Sequence, residues 1–141
     1  MKKSARKILS LVLTLVLICA LAATAFAATS HSVEEETDSG LIITEHGSIS
    51  TYSVSGEVSV DHGGRMNSLR VSIDYSYIQA GTTDTIIQES YSTTAYNDYV
   101  HSGSKTVYNT TCKRMVHATY MFRVEIPHEG TFNSTPFTLY N

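Results

Sequence analysis

Apolar and polar residues alternate with period two along two long stretches of the chain. Leu69, Val71, Ile73, Tyr75 and Tyr77 share one parity, opposite Arg70, Ser72, Asp74 and Ser76. Val116, Ala118, Tyr120, Phe122, Val124 and Ile126 share another, opposite His117, Thr119, Met121, Arg123 and Glu125. Successive side chains of a strand point to opposite faces, so each run predicts a strand with one buried face. In a third run, Tyr52, Val54, Val58 and Val60, the residue in phase between Val54 and Val58 is Gly56. A glycine there predicts a bulge or a point of close approach. Residues 41–45, 86–93, 105–111 and 137–140 complete a set of about seven strands, enough for two sheets. His46-Gly47, His62-Gly63-Gly64, Ala80-Gly81, Ser102-Gly103 and the segment from Pro127 to Gly130 supply turn chemistry between them. The expected fold is all-β, an antiparallel β-sandwich of immunoglobulin-like architecture, with a small β-barrel as the alternative.

Composition agrees with that pattern. Residues 28–141 contain 16 Ser, 16 Thr, 9 Val, 8 Ile and 9 Tyr, against 4 Ala and 3 Leu. Strong helix formers are scarce, and β-branched and aromatic residues are plentiful.

The first 27 residues differ in kind. Lys2, Lys3, Arg6 and Lys7 precede an apolar run from Ile8 to Leu21, and Ala25-Phe26-Ala27 then offers a small-x-small site. This order predicts a secretory signal peptide cut after Ala27, with Ala23-Thr24-Ala25 as the second option. An uncleaved anchor is the rival, because the run is about long enough to span a bilayer. Residues 28–40, with Glu34-Glu35-Glu36 and Asp38, lack an apolar pattern and are expected to be a flexible acidic segment before a domain at 41–141. With the leader removed, 6 basic face 13 acidic side chains, a net charge of −7. That balance disfavours nucleic acid as a partner. Cys112 then stands alone, because Cys19 lies in the leader. A buried, unreactive thiol is the expectation.

Catalytic motifs are sparse. There is no G-x-S-x-G, and Ser102-Gly103-Ser104-Lys105 matches S-x-x-K without its usual companion motifs. Cys112 and His117 are five apart, which on a strand puts them on opposite faces. No enzymatic activity and no cofactor are therefore expected. The His residues show no local zinc spacing. In an up-and-down arrangement, however, His62, Asp98, His101 and His128 fall at one end of the sandwich, where imidazole and carboxylate could take a metal ion. The Tyr-rich stretch 90–103 is the other candidate. It offers Tyr91, Tyr96 and Tyr99 among Ser, Asn and Gly, a composition suited to a recognition loop.

The leader ending Ala-Phe-Ala-Ala, the "ISTYSVSG" opening strand and the late "HATYMFRVEI" strand resemble the small, secreted, Ser/Thr/Tyr-rich β-proteins of Gram-positive bacteria. That family has no assigned activity, so the resemblance implies secretion and a β-fold and carries no catalytic residues over. The expected role is a secreted, non-enzymatic module that binds an extracellular protein or glycan through end loops, free of the membrane once its leader is cut. An antibacterial or toxin-like β-protein is the second expectation, and a metal-dependent hydrolase the third.

Overall fold

The computed structural model describes residues 28–61 and 64–141. The leader expected at 1–27 lies outside the described residues. Nine strands form among those described: β1 (Thr29–Glu36), β2 (Ile42–Ile49), β3 (Ser53–Asp61), β4 (Met66–Gln79), β5 (Ile86–Asp98), β6 (Val100–Thr106), β7 (Cys112–Ile126), β8 (Gly130–Asn133) and β9 (Phe137–Tyr140). One sheet has the order β1-β2-β3-β6, and the other β5-β4-β7-β8, with β9 also paired to β7. All pairings are antiparallel. The two sheets pack face to face as a β-sandwich, and the barrel alternative falls.

The two period-two runs form the centre of the second sheet. β4 and β7 pair along most of their length and bury Leu69, Val71, Ile73, Tyr75, Ala118, Tyr120, Phe122 and Val124. Ile43, Ile49, Val54, Val58 and Val60 face them from the first sheet. Outward positions carry the hydroxyl residues, which bond across strands: Ser48 with Ser55 at 2.8 Å, Ser72 with Ser92 at 3.1 Å and Thr119 with Thr138 at 2.8 Å. The Ser and Thr content is thus largely that of two solvated sheet faces.

Three glycines form a row across the first sheet, Gly47 paired with Gly56 and Gly56 with Gly103. Aromatic rings of the second sheet lie against this row. A Cβ on Gly47 would meet Phe137 Cε2 at 2.9 Å and Tyr120 Cδ1 at 3.0 Å. One on Gly56 would meet Val71 Cγ1 at 2.8 Å, and one on Gly103 would meet Thr93 Cγ2 at 2.5 Å and Tyr91 Cε1 at 3.0 Å. Tyr120 and Phe137 stack at 5.2 Å between centroids, and the Tyr120 hydroxyl donates to the Ser48 carbonyl. Gly56 is therefore the close approach that its phase predicted.

Several expectations change. Within residues 28–40, expected to be flexible, Thr29–Glu36 form a strand instead, β1 pairing with β2 at all eight of its positions. His31 packs edge-on against Phe137 at 5.1 Å, and the outward Glu34 and Glu36 charge this sheet edge, which discourages further strand addition. His46-Gly47 and Ser102-Gly103 are strand interior instead of turns, since those glycines are needed beneath rings. Residues 90–103 do not form a loop. They complete β5, cross between sheets at Asp98–Val100 and continue as β6. The strand expected at 105–111 accordingly ends at Thr106.

Candidate functional site

Four connections meet at one end of the sandwich. Ile42 pairs with Asp61, Met66 with Asp98, and Ser68 with Glu125. This register brings the β1–β2, β3–β4, β5–β6 and β7–β8 connections together. Between the first and last of them lies a cleft of about 590 Å³, whose lining includes Glu36, Asp38, Glu129, Ile126 and Phe132.

The β5–β6 crossing is fixed by short local bonds. Asn97 takes a left-handed φ of 55°, and its carbonyl accepts from Arg65 Nη1 at 3.1 Å. Asp98 Oδ1 accepts the Tyr99 N–H at 2.8 Å, and the Tyr99 carbonyl accepts the Val60 N–H at 2.9 Å. Asn adopts the left-handed region more readily than most residues, which suits this corner. Tyr96 is thereby left 75% exposed and Tyr99 56% exposed on either side of it. Tyr91 has a different place: its ring lies over Gly103, half-buried between the sheets. The three tyrosines therefore divide into two presented to solvent and one used in packing.

The expected metal ligands are also divided. Asp98 holds the Tyr99 N–H, and His101 Nε2 lies 3.2 Å from Thr93 Oγ1, facing the interior of the sandwich. His128 takes a φ of 67° in the β7–β8 turn and lines a small cleft with Asn67 and Glu125. His62 lies outside the described residues. Among those described, no three His, Cys, Asp or Glu side chains gather as a metal-binding group.

Two arrangements were not anticipated. Glu45 is fully buried on the inner face of β2, and neither carboxyl oxygen has a hydrogen-bond partner. Burial pushes its pKa up to about 7, Glu35 adds to the rise, and the Ser134 hydroxyl partly offsets it. Ser134 Oγ accepts the Phe122 N–H at 2.9 Å, which leaves its own hydroxyl proton to lean toward Glu45 without a closed hydrogen bond. The signal lay in the parity, because Glu45 is in phase with Ile43 and Ile49. Second, Arg70 on β4 sits directly opposite Arg123 on β7 on the outer face of the second sheet, with Tyr96 lining the same cleft. Their two strands are read from sequence alone, but their pairing depends on register.

Other reactive side chains are held quiet. The Cys112 thiol is buried, its pKa raised by burial. Ser76 is fully buried beside His117 Nδ1 at 2.9 Å, which satisfies its hydroxyl. Tyr75 and Tyr77 donate to Glu89 at 2.6 and 3.1 Å. Comparison with known proteins finds no matching family model and no matching curated relative.

Proposed function

We propose that the protein is a secreted, non-enzymatic binding module that engages a cell-surface glycan or protein partner with the end of the sandwich where β5 crosses to β6. The observation that carries this reading is the exposure of Tyr96 just before that crossing and of Tyr99 within it, 75% and 56% respectively. Neither ring is needed to fill the core, and the two stand three residues apart, so one partner covering both would remove apolar surface from water. Tyrosine gives broad, rigid contact area at low conformational cost, and its hydroxyl tolerates both wet and dry surroundings. The cleft of about 590 Å³ between the β1–β2 and β7–β8 connections adds concave surface at the same end.

The test is binding of the purified protein to an array of glycans and intact bacterial surfaces. Tyr96→Ala combined with Tyr99→Ala is expected to lower retention at least tenfold. Retention equal to that of the unmodified protein would overturn the reading.

A further inference from the structure

Residues 28–141 contain six basic side chains, and two of them, Arg70 and Arg123, are placed directly opposite each other on β4 and β7. Like charges in that relation repel, and a chain with a net charge of −7 over these residues has many acidic side chains with which to separate them. Arg123 is partly compensated by Glu125 at 3.1 Å, the one ion pair among the described residues. Arg70 has no carboxylate partner there. Its Nε donates to Ser92 Oγ at 2.9 Å, which fixes the guanidinium plane and leaves the Nη groups to meet something else.

The surroundings narrow what that is. Arg70 and Arg123 line a shallow cleft of about 180 Å³ with Ser68, Thr94, Tyr96 and Glu125. Tyr96 lies diagonally beside Arg70, since Ser68 pairs with Tyr96 and Arg70 with Thr94. A guanidinium fork matches a carboxylate or phosphate in bidentate fashion, and the flat face of a tyrosine packs against a sugar ring. The Thr94 hydroxyl adds a donor and acceptor suited to ring hydroxyls.

We propose that Arg70, Arg123 and Tyr96 form a binding site for an anionic sugar unit, one bearing a carboxylate or a phosphate. This deepens the binding role above and rests on it in one respect, the use of Tyr96. The anion relieves the repulsion between the two arginines, and the ring covers Tyr96. Both contacts lie on an exposed sheet face, so affinity falls as salt screens the charges.

Titration of the uniformly 15N-labelled protein with glucuronate, glucose 6-phosphate, glucose and inorganic phosphate tests it. Glucuronate or glucose 6-phosphate is expected to shift the amides of Arg70, Thr94, Tyr96 and Arg123 in a saturable way. The stronger of the two identifies the acid group. Glucose is expected to bind at least tenfold more weakly, and Arg70→Gln with Arg123→Gln to lose tenfold or more with the remaining spectrum unchanged. Equal responses to glucose and glucuronate would overturn the proposal. So would unaltered binding by the double glutamine variant, or inorganic phosphate matching both sugar acids, which would reduce the site to an anion contact. On the array, a Tyr96→Ala, Tyr99→Ala protein that loses binding while the Arg70→Gln, Arg123→Gln protein keeps it would sink this site and leave the broader role standing. Saturable glucuronate binding by a protein that retains nothing on the array would do the reverse.

Discussion

Glu35 on β1 and Glu45 on β2 face the interior from adjacent strands, one row apart: Val33 pairs with Glu45, and Glu35 pairs with Ile43. Glu45 has no exposed surface and no hydrogen-bond partner, whereas Glu35 sits at the half-buried sheet edge. Burial in that position favours the protonated carboxyl over the carboxylate.

The pH dependence of stability follows in sign. The folded-state pKa of Glu45 is raised from 4.5 to about 7, so the native state holds a proton that the unfolded chain releases. The Glu45 contribution is fully present below pH 4.5 and is lost as pH rises toward 7. The loss amounts to roughly 3 kcal/mol at most. Urea unfolding between pH 4.5 and 7.5 is expected to show the decline, and Glu45→Gln to flatten it. An equal slope in the Gln variant would count against a buried, proton-holding Glu45.

Gly103→Ala is expected to destabilise the fold by about 1–3 kcal/mol, the range for overpacking. The new methyl would meet Thr93 Cγ2 at 2.5 Å and Tyr91 Cε1 at 3.0 Å. Adding Thr93→Ser removes the nearer obstacle and should recover part of the loss. A double-mutant cycle by chemical denaturation measures that coupling. No coupling would mean the two strands do not meet there.

The three tyrosines of the candidate region should separate by stability. Tyr91→Ala removes a ring packed over Gly103 and is expected to cost about 1–3 kcal/mol. Tyr96→Ala and Tyr99→Ala, at largely exposed positions, should stay within about 0.5 kcal/mol of the parent. Thermal unfolding of the three single variants gives the comparison.

Cys112 should be unreactive until the sandwich opens. Its side chain is buried, its Sγ lies 3.9 Å from the Thr51 carbonyl, and burial disfavours the thiolate. Labelling by an aromatic disulfide reagent at pH 8 is expected to follow the unfolding curve in urea. Prompt labelling of the native protein would contradict the packing at the start of β7.

Much of the fold is legible in the sequence where alternation is strong. β4 and β7 are recognisable from their period-two runs alone, and Gly56 declares itself by sitting in the phase of Val54 and Val58. Local chemistry misleads where tertiary contacts override it. Gly47 and Gly103 look like turn residues because glycine favours turns, yet here glycine is demanded by Phe137 and Tyr120 at the first and by Thr93 and Tyr91 at the second. β1 looks disordered because its residues are acidic, but edge pairing needs backbone groups more than apolar side chains. The candidate site is less legible. Tyr96 and Tyr99 stand out by composition, whereas the apposition of Arg70 and Arg123 exists only once β4 and β7 are in register.

The glycine row has a consequence for how the strands find one another. Sliding β3 by two residues against β2 would keep every apolar side chain inward, so alternation alone does not forbid it. Such a slip would take Gly56 away from Gly47 and bring Val54 or Val58 to the place where Val71 Cγ1 leaves no room for a Cβ. The missing side chains therefore act as an alignment mark, selecting one pairing among several that hydrophobicity treats as equivalent.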